Sequence, residues 1–269
     1  MRPTVTSMLA MLAAILLAGC AASPRAPSPS AEGVRAERVD ETFDVADGVT
    51  RIALDNPWGM ISVRDHDERE VGIHAVAQSD AARRAKATFR ARRDGDTLRV
   101  EVAFERGLAP SDRIDVALYV PGDLALALRT QDGAITAKKR GGAIEADSGS
   151  GRIVASSRER LALRTRSGAI RAAAMGRNWH GASTIETDSG RIVLRVPTFG
   201  DIALDARTGG ALGTDFGLSV HTQPDGSRTA RARYGAGTSP LQIRSASGEI
   251  VLEQLVPLGE DTPPLEDDD

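Results

Sequence analysis

The sequence predicts an all-β protein whose short parallel strands wind into a β-solenoid. Three observations point to this class: a recurring glycine phrase, apolar residues that alternate with polar ones, and no helix-length apolar pattern between the repeats. Two strands of about nine residues each, turns included, would make one rung of roughly 18–20 residues. We also expect a hairpin-containing cap at the N-terminal end, because an open end exposes unpaired strand edges.

The phrase is glycine, any residue, then isoleucine or leucine, and its copies are spaced by about one, two or four multiples of nine or ten residues. The copies begin at Gly122, Gly133, Gly142, Gly151, Gly168, Gly190, Gly200, Gly210 and Gly248. Glycine accepts a positive φ without steric cost, and the serine or aspartate that usually precedes it can bond the turn's own backbone. Each phrase therefore predicts a sharp corner built on a glycine with positive φ.

Apolar and polar residues alternate after each corner, which predicts strands with one buried and one solvent-exposed face. Ile135 is followed at period two by Ala137, and Ile144 by Ala146, whereas Thr136 and Glu145 point the other way. The inward residues recur in the same sense after every corner, which favours a coil over successive hairpins. An antiparallel sandwich with glycine-rich turns is the alternative, since strands at this spacing also fit that fold.

The flanking parts are predicted with their own elements. Between residues 37 and 120 the strands are longer, and Asp94-Gly95 predicts a hairpin. The charged, alanine-rich stretch Ser79–Lys86 predicts one short helix. The phrase lapses after residue 211, with a turn at Pro224–Gly226, and Leu241–Leu252 recovers the pattern as a last rung.

The N-terminus has the pattern of a bacterial lipoprotein. Residues 1–19 are predicted to be a signal peptide, because Met8–Ala18 is apolar but too short to span a membrane as a helix. The run ends in Leu17-Ala18-Gly19-Cys20, which resembles a lipobox, so we expect Cys20 to carry the lipid. Residue 21 is alanine rather than aspartate, which by resemblance to enterobacterial lipoproteins indicates the outer membrane of a Gram-negative cell.

Three further segments follow the signal peptide. Residues 20–36 are predicted to be the lipidated cysteine and a flexible linker, because proline, serine and alanine dominate there without an apolar period. Residues 37–256 are the predicted β-strand domain. Residues 257–269 are an acidic tail with no base and are expected to be disordered.

Composition excludes several classes of function. Cys20 is the only cysteine, so the mature body has no disulfide and no thiol chemistry. A formal net charge of −3 and an aromatic content of 3% argue against a nucleic-acid partner. The sequence indicates no cofactor, no bound metal and no catalytic motif such as a nucleophile elbow or a phosphate loop.

Some residues are nevertheless candidates for a site. Asp132, Asp147 and Asp188 precede corner glycines and, stacked on one edge, would gather Ca²⁺ or form an acid–base pair. Turn chemistry is the favoured explanation, because aspartate is a good turn residue. Trp58 and Trp179 are candidate sugar-stacking platforms or, alternatively, core plugs. His66, between Asp65 and Asp67, is read as part of a loop tip rather than a metal site.

The segment Asn56–Ile61, the step Val116–Pro121 and the closing stretch Leu241–Ile250, together with the repeated Ser-Gly-x-Ile corners, resemble the "putative adhesin" family of domains of unknown function over Thr50–Leu255. The resemblance implies a β-solenoid on a bacterial envelope protein without established catalytic residues. We therefore expect a non-enzymatic envelope lipoprotein that presents a binding or scaffold surface, anchored to the membrane by its lipid, for a glycan, peptidoglycan or another envelope protein. A polysaccharide-acting β-helix enzyme and a component of envelope-stress signalling are the alternatives.

Overall fold

The computed structural model describes residues 34–80, 86–105, 107 and 112–255. These residues form only strands and turns, which confirms the all-β class for this part of the chain. No helix within it is long and apolar enough to cross a membrane. The predicted signal peptide, Cys20 and the acidic tail lie outside the described residues.

The strands are short, and most run for five to eight residues. In the first half they are β1 (Val34–Asp44), β2 (Arg51–Asp55), β3 (Ile61–His66), β4 (Glu70–Asp80), β5 (Ala87–Asp94), β6 (Thr97–Phe104), β7 (Arg113–Pro121), β8 (Ala125–Thr130), β9 (Ile135–Arg140), β10 (Ile144–Ser148) and β11 (Ile153–Ser157). In the second half they are β12 (Leu161–Thr165), β13 (Ile170–Ala174), β14 (Ser183–Thr187), β15 (Ile192–Pro197), β16 (Ile202–Thr208), β17 (Leu212–Thr214), β18 (Val220–Thr222), β19 (Arg228–Arg233), β20 (Ser239–Ser245) and β21 (Ile250–Leu255).

The described strands form two large mixed sheets. The ten-stranded sheet, here sheet A, has the order β1-β4-β7-β3-β9-β11-β13-β15-β21-β17. The eleven-stranded sheet, here sheet B, has the order β18-β19-β16-β20-β14-β12-β10-β8-β2-β6-β5. From β8 to β15 the chain alternates between the two sheets, and we call one strand of sheet B with the following strand of sheet A a rung.

Strands of neighbouring rungs run parallel and in register over this central part. In sheet A, β11 pairs in parallel with β9 and β13, and β13 pairs with β15. In sheet B, β10 pairs in parallel with β8 and β12, and β12 pairs with β14. The antiparallel sandwich considered from the sequence is therefore wrong for β8 to β15, where each corner carries the chain from one sheet to the other.

Like side chains stack on one another along the interior. A fully buried isoleucine column runs through sheet A, and a leucine and isoleucine column runs through sheet B. The first contains Ile61, Ile135, Ile153, Ile170, Ile192 and Ile250, and the second contains Ile52, Leu126, Ile144 and Leu161. Each such side chain contributes about 1.5–3 kcal/mol when fully buried. A slip of one residue would expose an entire column, so these columns hold the register.

The N-terminal part adds antiparallel strands to both sheets. β1 pairs with β4 and β4 with β7, while β5 and β6 form the hairpin predicted at Asp94-Gly95, with Gly95 at φ +61°. The short helix predicted over Ser79–Lys86 is wrong at its start. Arg35 of β1 pairs with Ser79, so pairing with β1 draws this end of the stretch into β4. Residues 81–85 lie outside the described residues.

The first and last rungs in the chain do not lie at the ends of the sheets. β2 lies between β6 and β8, and β3 lies between β7 and β9. Likewise β20 lies between β14 and β16, and β21 lies between β15 and β17. Leu241–Leu252 therefore forms the predicted last rung of the chain, but this rung is inserted between two others rather than added at the end of the sheets. The chain first forms the outer strands β16 and β17 and then the antiparallel strands β18 and β19. It then places β20 between β14 and β16, and β21 between β15 and β17.

The corner glycines serve a different purpose from the one predicted. Among the corners that join sheet B to sheet A, only Gly59 has a positive φ. A Cβ at Gly168 would instead lie 2.0 Å from the carbonyl oxygen of Gly151, and one at Gly151 would lie 1.8 Å from that of Gly133. The same near-collision with the glycine one rung away recurs at Gly133, Gly190 and Gly248. Glycine is required at these corners because the backbone of one rung touches the backbone of the next.

A buried hydroxyl accompanies each of these corners. Thr165 accepts a hydrogen bond from the Gly168 N–H at 3.1 Å and donates one to the Gly151 carbonyl at 3.2 Å. Ser148 makes the same two bonds to Gly151 and Gly133. The column contains Thr130, Ser148, Thr165, Thr187, Ser245 and Thr208. These hydroxyls satisfy buried backbone groups that would otherwise lose water without a replacement partner.

Replacing a corner glycine should destabilise the stack. We expect Gly168→Ala to lower the free energy of unfolding by at least about 3 kcal/mol, because the added methyl group meets immovable backbone. Urea denaturation followed by circular dichroism measures this change. The matched control is Gly213→Ala, where a Cβ has no atom within 4 Å, and it should shift stability by no more than about 0.5 kcal/mol. Equal effects of the two variants would contradict the backbone-contact explanation.

Candidate ligand-binding groove

The three candidate aspartates do not come together. Asp132 and Asp188 lie at corners on the same side, but three strand spacings, or about 14 Å, separate their rungs. Asp147 lies within β10 on the outer face of sheet B, in register with Arg129 and Arg164. Glycosidase carboxyl pairs lie about 5–9.5 Å apart, so Asp132 and Asp188 are too distant to act as one.

The tryptophans differ in exposure. Trp179 is 5% exposed and belongs to the core, so it is not the exposed sugar-stacking platform that was one of its two predicted roles. Its backbone N–H donates to the Ser239 hydroxyl at 2.9 Å, and that hydroxyl donates to its backbone carbonyl at 3.2 Å. Trp58 is half-buried at the corner between β2 and β3, where its carbonyl accepts the Ile114 N–H at 2.9 Å. A ligand-binding role for Trp58 stays a prediction.

The turn between β3 and β4 gathers three potential metal ligands. The Nε2 atom of His66 lies 3.2 Å from Oε1 of Glu70 and 3.9 Å from Oε2 of Glu68. The three donor atoms lie within 4.8 Å of one another. The pattern Asp65-His66-Asp67 did not predict this group, because its two carboxylates come from the alternate positions Glu68 and Glu70 and not from the neighbours of His66. When its imidazole is protonated, His66 forms ion pairs with these carboxylates and ties the two strands together.

Arg140 is a fully buried cation inside the fold. The preceding residue Lys139 has φ +58°, and the pairing of β9 with β11 shifts register at the same place, so a bulge turns Arg140 inward. Its guanidinium donates to the Asp65 carboxylate and to the carbonyls of Val120 and Pro121. Burial lowers the pKa of Arg140 and the Asp65 charge opposes that shift. This arginine joins β3, β7 and β9 and is not available to a ligand.

Charged residues alternate in sign along the outer face of sheet B. One row crosses the sheet strand by strand, and neighbours in it attract one another across the strands. The row reads Asp55, Arg129, Asp147, Arg164, Glu186 and Arg244. The alternation fails at both ends of the row, where Asp55 stands opposite Glu101 of β6 and Arg244 stands opposite Arg207 of β16.

A groove of about 400 Å³ opens where two arginines meet. Strands β16, β19 and β20 and the turn before β19 form its walls. Its charged and hydroxyl-bearing lining consists of Asp205, Arg207, Asp225, Thr229, Arg231 and Arg244. Three guanidinium groups therefore share two carboxylates. A second depression of about 760 Å³ adjoins it through Gln223, Thr229 and Arg231 and is also lined by Phe216 and Tyr234.

The aspartates of the groove hold the arginines in place. Asp205 accepts a hydrogen bond from Arg244 Nη1 at 2.9 Å and one from Arg231 Nε at 3.3 Å. Asp225 accepts one from Arg207. Hydrogen bonds from the Ser227 hydroxyl and N–H, followed by the charge of Arg207, lower the pKa of the Asp225 carboxyl. Burial raises the pKa of the Tyr234 hydroxyl in the adjoining depression.

This arrangement is suited to holding an anion. Guanidinium groups present paired N–H donors that match carboxylate or phosphate oxygens. The lining of the smaller groove contains neither histidine nor cysteine, so it has no nucleophile paired with a neutral base. The groove was not predicted from the sequence, although the alternate arginines of Arg228–Arg233 were a signal for it. The excess of arginines over aspartates in the groove depends on which strands become neighbours.

The chain matches no protein-family model and no curated protein. It is similar to the structure of a "putative cell adhesion protein" from Clostridium sporogenes, with 10% identity, a TM-score of 0.47, and coverage of 82% of this chain and 100% of the other. It is also similar to "putative adhesin" structures from Bacteroides fragilis (8% identity, TM-score 0.30, coverage 81% and 97%) and Parabacteroides merdae (9%, 0.36, 82% and 97%). At these TM-scores the likenesses add nothing to the functional argument.

Loss of Asp65 and loss of Arg140 should lower the stability of the fold by different amounts. We expect Asp65→Ala to lower the free energy of unfolding by about 2–3 kcal/mol, because it removes the carboxylate that is bonded to the buried Arg140 charge and leaves only the charge of Asp123 to offset it. Arg140→Met should cost less, since Asp65 is half exposed and water can solvate it. Thermal and urea denaturation of both variants measure the order. A larger loss for Arg140→Met would show that the carbonyl contacts, not the ion pair, dominate.

Proposed function

We propose that this chain is a non-enzymatic cell-envelope lipoprotein whose β-strand body presents a ligand-binding surface. The signal peptide 1–19 is removed, Cys20 carries the lipid, and residues 20–33 hold the body away from the outer membrane. Residues 34–36, predicted to belong to the linker of residues 20–36 rather than to the body of residues 37–256, form the start of β1. The lipobox after the apolar run supports the anchor. In-register parallel stacking through the central strands supports a β-solenoid body, with the β5–β6 hairpin at one sheet edge as part of its N-terminal cap.

The observation that carries the binding role is the arginine groove on the outer face of sheet B. It is concave, it holds more cationic than anionic side chains, and it occurs at the end of the charged row where two arginines stand opposite each other. Binding at such a surface needs no chemistry, in keeping with the wide separation of Asp132 from Asp188. An adhesin-like or scaffolding role follows, with a glycan, peptidoglycan or another envelope component as its partner.

The anchor has a direct test. Cys20→Ala should move the protein from the membrane fraction to the soluble envelope fraction, because the variant has no residue to acylate. Ser23→Ala, a substitution three residues away, is the control and should stay with the membrane. Fractionation and immunoblotting measure the distribution. A Cys20→Ala protein that still sediments with membranes refutes the lipid anchor.

The binding role is tested separately with the full-length chain in detergent. Immobilised protein is exposed to envelope extract, and what it retains is identified. We expect a partner that the parent chain retains and the Arg207→Gln/Arg231→Gln variant does not. The matched control is Arg129→Gln/Arg164→Gln, which removes the same charge from the alternating row of the same face. Retention by neither parent nor variants would contradict a binding role.

A further inference from the structure

We propose that the arginine groove binds an acidic glycan through the carboxylates of its sugar units, an inference that rests on the proposed binding function. The starting point is the pairing of Arg244 with Arg207. Like charges directly opposite each other destabilise a sheet, and the row has them only at its two ends, where Asp55 stands opposite Glu101 and Arg244 opposite Arg207. The cationic end coincides with the concave part of the face, where a ligand anion can supply negative charge.

The guanidinium of Arg231 is the most accessible of the three. Its side chain is 76% exposed, and its contact with Asp205 uses Nε alone. The two terminal nitrogens have no hydrogen-bond partner among the described residues, and Arg231 is part of the groove lining. A carboxylate can therefore bind them side by side without displacing Asp205.

Arg207 and Asp225 provide the second contact. Both side chains are half exposed, and ion pairs of this kind are weak in water, so a ligand carboxylate can compete for the arginine. Asp225 meanwhile stays in position, because the hydroxyl and N–H of Ser227 bind its Oδ1 atom at 2.7 and 3.0 Å. The released carboxylate can then accept a hydrogen bond from a ligand hydroxyl.

The neutral groups in the groove favour a sugar over other polyanions. Gln223 donates to the Thr229 hydroxyl at 2.9 Å, which leaves amide and hydroxyl groups beside the arginines. Aspartate, glutamine and threonine side chains complement sugar hydroxyls. The lining of this groove has no aromatic ring on which a nucleic-acid base could stack. A polymer of uronic acids combines the carboxylates and hydroxyls that these side chains match.

The test measures binding of the full-length chain in detergent to immobilised polygalacturonate, with neutral dextran, dextran sulfate, polyphosphate and single-stranded DNA as comparisons. We expect binding to polygalacturonate that weakens with salt, and none to dextran. Arg207→Gln/Arg231→Gln should lower the affinity about tenfold or more. Arg129→Gln/Arg164→Gln should change it less than about twofold, and circular dichroism confirms that both variants fold.

Each other outcome counts against the proposal in a defined way. Equal loss in both double variants would show attraction to net charge rather than a groove. Equally tight binding of dextran sulfate, polyphosphate or DNA would overturn the carboxylate glycan as ligand. If polygalacturonate does not bind but the envelope pulldown still retains a partner through Arg207 and Arg231, the ligand class is wrong and the proposed function stands. If neither assay detects binding, both are wrong.

Discussion

The contact of one corner backbone with the next is the constraint on which the described fold depends. At Gly133, Gly151, Gly168, Gly190 and Gly248 a side chain of any size would overlap a carbonyl oxygen one rung away. Only glycine allows that approach, and before the first three of these corners the buried hydroxyls of Thr130, Ser148 and Thr165 donate to the same carbonyl. The spacing of the corners sets the spacing of the strands, and the apolar columns can stack only if the corners stack.

The placement of the terminal rungs adds a second constraint. Each end rung of the chain is inserted between two others and gains parallel partners on both sides. In a simple linear stack the first and last rungs would each have one free edge, where fraying begins. Here the free edges belong instead to β1, β5, β17 and β18, and the edge strands β17 and β18 are only three residues long. Short edges offer little template for pairing with another chain.

The same insertion creates the candidate site. Because β20 enters between β14 and β16, Arg244 meets Glu186 on one side and Arg207 on the other. Antiparallel pairing of β19 with β16 then brings Arg231 beside Asp205. The surplus of positive charge in the groove is thus a consequence of strand order. A linear stack of the same strands in chain order would have placed β16 against β14, so that Arg207 would take the place of Arg244 beside Glu186.

Local pattern was enough to predict the all-β class, the corners, the buried columns and the Asp94-Gly95 hairpin, because period-two alternation and turn chemistry act between near neighbours in the chain. Local pattern did not predict why glycine is required at the corners, that Ser79 belongs to a strand, that Trp179 is buried, or in which order the rungs lie. Those depend on contacts between residues far apart in sequence: the carbonyl above a glycine, the pairing of β4 with β1, and the gap that β20 and β21 enter. The groove belongs to this second group, since its charge arises from three strands that only the folded chain makes neighbours.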